Sequence, residues 1–298
     1  MRALADQVRR FARSDSNVLV AGETGAGKNA VARELHVRSK RAKQPFVTID
    51  CPSLSSSLID SELFGHERGA FTDAVTARAG RFETAGQGSL YLDAVTELPL
   101  DAQSKLLRIV EEKRVERLGG STSVAIKARL IASSSADVED AVRDGRFRSD
   151  LFHRLRVLPL VVPPLRQRAD DVLPLAKYFA TRAAAQSKRP EPVFSRDAAD
   201  ALRDYAWPGN VRELRHVIEL ACQTARHTVT LTDLPDEVLA TPAPADNGPA
   251  RYPTLDEMER RYVAATLRAV GGNQTEAAAR LGISRKALWE KRKRYGMD

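Results

Sequence analysis

The run Gly22-Glu23-Thr24-Gly25-Ala26-Gly27-Lys28 has the residue types and spacing for holding phosphate. Its glycines let backbone N–H groups curl around an anion, and Lys28 sets a cation against the outer phosphates. A glycine-rich turn without a ligand is the plainer alternative, and the setting separates the two. Residues 17–21 form a short apolar run, and Ala30, Val31 and Leu35 beyond the glycines fall at helical spacing, so the loop joins a strand to a helix. Asn29 stands where many such loops place a Ser or Thr hydroxyl on magnesium. Asp93 ends a second apolar run, 90–92, and suits the acidic role of holding Mg²⁺ from the next strand; otherwise it is a residue of a strand-end turn. Phosphates with Mg²⁺ are what these residues suit.

A different chemistry is written near the other end. Asn273 is placed to cap one helix, Ala277 and Ala278 allow close helix approach, Gly282 permits a turn, and Ser284 caps the next helix. Arg285, Lys286, Lys291, Arg292, Lys293 and Arg294 then load that second helix with cations. Such a helix suits the major groove of DNA, its first side chains meeting base edges and its later ones phosphates. Charge alone would favour a solvated basic helix end, and the capped turn before it favours DNA. Asn273, Thr275, Ser284, Arg285, Lys286, Lys291, Arg292 and Arg294 are therefore the candidate DNA-binding residues. Leu288 and Trp289 are candidate packing residues, one of them facing the core.

The elements that must hold these sites follow from periodicity. Residues 46–49, 90–92 and 130–132 repeat the pattern of 17–21, buried strands separated by segments long enough for crossover helices, which predicts a parallel sheet covered by helices on both faces. From 170 to 226 the pattern is helical throughout, a small lid; 198–205 and 211–225 are two of its helices. Residues 241–253 concentrate Pro, Ala, Gly and Asn and read as a linker. Three helices follow, at 255–270, 274–281 and 285–295. The expected domains are an α/β nucleotide-binding part at 1–168, a helical lid at 169–240, the linker, and an all-α helix-turn-helix at 254–298. The 298 residues, 43% of them apolar, suffice for about two domains. A net charge of +8 favours a polyanionic partner, though weakly by itself. No apolar run reaches membrane-spanning length and Arg2, Asp6, Arg9 and Arg10 replace a signal-peptide core, so no membrane partner and a cytoplasmic location are expected. Cys51 and Cys222 lack metal-ligand spacing and read as small core residues.

Taken together, these motifs resemble the central AAA+ domain of bacterial enhancer-binding proteins, the sigma-54-dependent activators, followed by their Fis-type DNA-binding domain. The most specific stretch runs Ser61-Glu62-Leu63-Phe64-Gly65-His66-Glu67-Arg68-Gly69-Ala70-Phe71-Thr72-Asp73-Ala74. In that family it includes the loop, usually GAFTGA, that touches the sigma factor, which implies contact through Gly69, Ala70, Phe71, Thr72, Asp73 and Ala74; an ordinary surface loop with Phe71 tucked inward is the alternative. Residues 147–155 resemble the segment that projects arginines into a neighbouring subunit's nucleotide site, making Arg148 and Arg154 candidate arginine fingers. Pro163-Pro164-Leu165-Arg166-Gln167-Arg168 resembles the turn into the lid. Trp207-Pro208-Gly209-Asn210-Val211-Arg212-Glu213-Leu214 matches the lid segment whose arginine, here Arg212, reaches the nucleotide.

Departures from the family pattern fall on hydrolysis and output. Ala94 stands where the family has the glutamate that polarises the attacking water, a loss of roughly 10²–10⁴ in rate. Ser135 aligns with the asparagine that senses the terminal phosphate, and Asp73 replaces a loop glycine. The resemblance implies a homo-oligomer, from a dimer formed through the helix at 255–270 to a hexameric or heptameric ring, with promoter or enhancer DNA and sigma-54 RNA polymerase as partners. Two readings stay open: an ATP-driven activator of that polymerase, or a hydrolysis-deficient, nucleotide-binding regulator acting as a repressor or with another sigma factor. A replication or proteolysis ATPase is disfavoured by the 61–74 stretch and by the helix-turn-helix.

Overall fold

A computed structural model describes residues 1–53, 58–71, 74–135, 137–187, 189–225, 227–240, 259, 262–263, 266–267, 270 and 273–295. The expected linker, most of the expected helix at 255–270, and Thr72 and Asp73 lie outside them. Contacts divide the chain into two compact units, Met1–Ala243 and Pro244–Asp298.

The first unit is built on five parallel strands, β1 (Val18–Ala21), β2 (Phe46–Asp50), β3 (Ser89–Asp93), β4 (Arg129–Ser134) and β5 (Leu158–Val161), in the order β2-β3-β4-β1-β5. Sequence periodicity found four of these; β5, at the edge, alternates too weakly to stand out, with Val161 exposed. Alternation sorts the strand side chains between two cores. Leu19, Leu90, Leu92, Leu130 and Ala132 pack on one face against Leu106, Leu151 and Leu155. Those residues belong to α3 (Leu100–Glu112) and α5 (Ser149–Leu155). Val18, Val20, Tyr91 and Ile131 pack on the other face against Leu4, Val8, Ala32 and Leu35, from α1 (Arg2–Ala12) and α2 (Lys28–Val37). Helix α4 (Val138–Arg143) follows β4 on the first face. The result is the expected helix-covered parallel sheet.

The lid gathers α6 (Val172–Ser187), α7 (Arg196–Asp204), α8 (Asn210–Thr224) and α9 (Asp236–Ala240) around a third core that includes Leu165, Leu202, Trp207, Leu214 and Ile218. It is not helical throughout: Val193–Phe194 pairs in parallel with Thr228–Val229. Pro190 and Pro192 explain the break, since each removes an N–H donor and turns the preceding residue away from helix.

In the second unit, α10 (Gln274–Leu281) and α11 (Arg285–Tyr295) occupy the spans expected from sequence. Asn273 Oδ1 accepts from the N–H groups of Thr275 and Glu276, Gly282 ends α10 with a left-handed φ of 67°, and Ser284 Oγ accepts from Ala287 N at 3.1 Å. Ala277, Ala278, Leu288 and Val263 form its core. No helix among the described residues is long and apolar enough to cross a membrane.

Candidate functional site

Parallel register brings the carboxyl ends of β1, β3 and β4 to one edge: Ala21 lies beside Ser134, and Leu92 beside Ala132. Open parallel sheets place their ligand sites at that edge. The glycine loop leaves β1 there and feeds α2, whose N-cap Gly27 has a left-handed φ of 105° and no side-chain cap, so the first N–H groups of α2 are left for a ligand. Lys28 Nζ donates to the carbonyls of Gly22 at 2.7 Å and Glu23 at 3.0 Å. Burial lowers the lysine's pKa, and the nearby charge of Asp93 opposes that shift.

Asp93 is the centre of a hydrogen-bonded set. Ser133 Oγ donates to Asp93 Oδ1 at 2.6 Å and accepts from Ala94 N at 2.9 Å. The Tyr91 hydroxyl lies 2.9 Å from Asp93 Oδ1 and 2.8 Å from the Asn29 side-chain amide. The Asn29 atom in contact is its Oδ1, so the single hydroxyl proton of Tyr91 faces two acceptor oxygens and is donated to one of them at a time. Asn29 and Asp93, named separately in the sequence, are thus joined through Tyr91, whose pKa burial raises. Ser135 follows β4, and it is Ser133, two residues earlier, that reaches Asp93. Ala94 adopts a left-handed backbone, φ 54°, and contributes its N–H to the set. Among the described residues no cluster of His, Cys, Asp or Glu would hold a metal by itself.

The lid is fastened to the glycine loop. Arg166 donates to both oxygens of Glu23, at 2.8 and 2.5 Å, and Arg168 donates to the Ala26 carbonyl at 2.6 Å. The Arg166 hydrogen bond, with a smaller contribution from Asn210, holds the Glu23 carboxyl below the usual carboxylate range. Asn210, fully buried at the start of α8, accepts from Leu165 N at 2.7 Å and donates to the Thr24 carbonyl at 3.1 Å. Val211 N donates to the Gly25 carbonyl at 3.0 Å. A Cβ on Gly25 would lie 2.3 Å from the Gly209 carbonyl and 3.1 Å from Arg212 Cβ, so only glycine allows this approach, and Arg212 stands against the loop. A cavity of about 490 Å³ opens beside Gly22 and Glu23, between Met1, Leu4 and Gln7 on one side and Val162, Pro164 and Gln167 on the other.

The two candidate finger residues sit at opposite ends of α5, outside this pocket. Arg148 is tied to Asp150 at 2.8 Å and to Ser104 Oγ at 3.1 Å, and Arg154 to Glu111 at 2.9 Å, both side chains solvent-accessible. In the 69–74 loop, Gly69 N donates to the Ala74 carbonyl at 2.8 Å, and Phe71 stays partly exposed with its edge against the His66 ring, centroids 5.0 Å apart. In the second unit Arg285, Lys286 and Lys293 are exposed on α11, whereas Lys291 is paired with Glu259, which also accepts from the Tyr295 hydroxyl at 2.6 Å. Leu288 faces the core and Trp289 does not.

Comparison with known proteins places this geometry. The family pattern described as Sigma-54 interaction domain matches residues 1–161, more than half of the chain. The chain belongs to the sigma-54 interaction domain family. Residues 166–250 match the AAA+ ATPase lid domain, and 254–295 match the bacterial regulatory protein, Fis family, pattern. Among curated relatives, the transcriptional regulatory protein ZraR of Klebsiella oxytoca is 43% identical over 293 residues, covering 98% of this chain and 66% of the relative. The regulatory protein AtoC of Escherichia coli K12 is 40% identical over 306 residues, covering 100% and 66%. Crystal structures of NtrX from Brucella abortus, one in complex with ADP and one with ATP, align at TM-scores of 0.76 and 0.74 with 34% identity, covering 99% and 100% of this chain and 68% of NtrX. The chain spans about 66% of the length of the curated relatives it matches. As a sigma-54 interaction domain joined to an AAA+ lid, it is of a nucleotide-binding type. Sequence reading missed Tyr91, Ser133, Arg166, Arg168 and Asn210 as partners of the site; all lay inside or next to the strings that carried the resemblance, but only distance gives them their roles.

Proposed function

We propose that this chain is the nucleotide-binding and DNA-binding portion of a sigma-54-type transcription regulator acting in the cytoplasm. The observation that carries the reading is the meeting of the glycine loop, Lys28, Asp93 and Arg212 at one sheet edge, in a chain that also carries a capped helix-turn-helix. The residues suit ATP with Mg²⁺. The N–H groups of residues 22–28 would hold the phosphates, and Lys28, now donating to the Gly22 and Glu23 carbonyls, would supply a cation to them. The cavity beside Gly22 would take the base, and Arg212 stands against the loop from the lid. Bound Mg²⁺ neutralises phosphate charge. Asp93, oriented by Tyr91 and Ser133, would hold it, with Asn29 at the end of the same hydrogen-bonded chain. Arg148 and Arg154, exposed on α5, suit a neighbouring subunit's nucleotide in a ring, and the loop 69–74 suits contact with sigma-54 RNA polymerase. Arg285 and Lys286 suit base edges in promoter or enhancer DNA, with Asn273, Thr275, Ser284, Arg292 and Arg294 about them; Lys291 serves to fasten α11 to Glu259.

Ala94 favours a second reading, in which nucleotide sets assembly and DNA binding with little turnover, as a repressor or with another sigma factor. A methyl group accepts no proton, and the N–H of the same residue is committed to Ser133. Equilibrium ATP binding measured beside steady-state turnover, across self-assembling concentrations and with promoter DNA, tests both. Tight binding without turnover supports the second reading, robust turnover restores the motor, and no binding refutes the nucleotide role altogether.

A further inference from the structure

Helix α11 carries its largest apolar side chain outward. Trp289 is 56% exposed while the adjacent Leu288 is 1% exposed, so the helix is seated with the indole away from the core. Leu288, Lys291 and Tyr295 define the inner side, the last two through Glu259. Arg285, Trp289 and Lys293 follow one another at intervals of four, one row along the outer side. Lys293 Nζ stands 5.3 Å from the centre of the Trp289 ring, over its face. An aromatic ring set among cations on an outward helix row is built for a surface that is both polyanionic and locally apolar. Duplex DNA offers that combination in the major groove, where the apolar feature of a base edge is the thymine 5-methyl group.

Resting on the reading of α11 as the recognition helix, we propose that Trp289 is a sequence-reading residue, its ring meeting thymine methyl groups between a base contact from Arg285 and a phosphate contact from Lys293. Its place as fifth residue of the helix, one turn beyond Arg285, puts it within the segment that lies over base edges when such a helix enters the groove. The indole, which has a single donor, gives apolar contact rather than bidentate hydrogen bonding, so the preference it confers is for A·T over G·C steps at its own position.

The chain's second tryptophan, Trp207, is fully buried in the lid, so acrylamide quenching of the intact chain reports on Trp289. The probe is a duplex that the chain itself selects from a random pool, together with a copy in which deoxyuridine replaces thymidine and only methyl groups are lost. The duplex is expected to shield Trp289 from acrylamide, and uracil to weaken binding by about fourfold for each methyl contacted. Trp289→Ala is expected to abolish the uracil effect with an unchanged salt slope, since no phosphate contact is removed, and Trp289→Phe to retain part of it. Retention of the uracil effect by Trp289→Ala, or an indole still open to acrylamide on the bound duplex, overturns the proposal while leaving DNA binding intact. Shielding that grows with protein concentration in the absence of DNA would assign the ring to a second copy of the chain, and failure to bind any duplex would remove the recognition-helix reading as well.

Discussion

Replacing Asn210 tests how much this side chain contributes to fastening the lid to the glycine loop, beside Arg166, Arg168 and the Val211 N–H. Its Oδ1 is the acceptor for the N–H of Leu165, a fully buried residue, and its Nδ2 reaches the Thr24 carbonyl and Glu23 Oε2, each at 3.1 Å. Alanine would strand the Leu165 donor in the interior, which costs roughly 1–3 kcal/mol. Asn210 also has a left-handed φ of 55°, where a Cβ without a polar side chain costs about 1–2 kcal/mol more. Asn210→Ala should therefore lose about 3 kcal/mol, a fall in Tm of roughly 6–12 °C for a unit of this size. Glycine keeps the backbone conformation and loses only the hydrogen bonds, so Asn210→Gly should lose about 2 kcal/mol. Calorimetric melting of both variants, with titration of ATP into each, separates the two contributions, and both should bind nucleotide more weakly because Thr24 loses its anchor. Variants that melt within about 0.5 kcal/mol of the parent would refute the fastening role. Equal losses in the alanine and glycine variants would refute the backbone part.

Ala94→Glu should raise ATP turnover by roughly 10²–10⁴ if the missing side chain limits hydrolysis; near-zero turnover in a folded variant that still binds ATP would sink that account. Arg117 donates to both oxygens of Glu83, at 2.8 and 2.7 Å, and holds that carboxyl below its ordinary value of 4.5. A carboxyl depressed in the folded state stabilises fully above its unfolded value and loses that contribution as pH falls through the folded one. Urea midpoints of Glu83→Gln should thus fall less than those of the parent below pH 4.5, and parallel curves would contradict the pairing. Burial, aided by the charges of Asp93 and Asp50, pushes the Cys51 thiol up to about 12, so Ellman's reagent should leave Cys51 unmodified in the native chain at neutral pH; its reaction ahead of Cys222 would contradict this.

Much of the architecture was legible because it depends on local pattern. A glycine loop between an apolar run and a helical period needs no distant partner to be recognised, and the two helix-turn-helix spans are fixed by Asn273, Gly282 and Ser284 within a few residues. The short parallel pair at Val193–Phe194 escaped because two residues give too few alternations for a period, and β5 because exposed Pro159 and Val161 interrupt its apolar run. Of Leu288 and Trp289, sequence could say that one faces inward, and packing with Ala277 and Ala278 decided for Leu288.

The harder part concerns Asp93, whose partner Ser133 the sequence did not single out. Register explains the pairing. Leu92 lies beside Ala132, so one step further Asp93 meets Ser133, and the two-residue period puts both on the face that already holds Tyr91 and Ile131. Helix α2 covers that face, which is why Asn29, at the start of α2, completes the set. The next serine, Ser134, is buried with its hydroxyl unpartnered, as alternation onto the other side requires. The polar set is thus the last layer of an apolar face, held by the same packing that seats Tyr91. Around Asp93 the hydroxyls are committed to orienting its carboxylate, and position 94 adds a backbone N–H in place of a side-chain base. The choice between a motor and a nucleotide-gated regulator therefore turns on whether another group supplies the base that Ala94 does not.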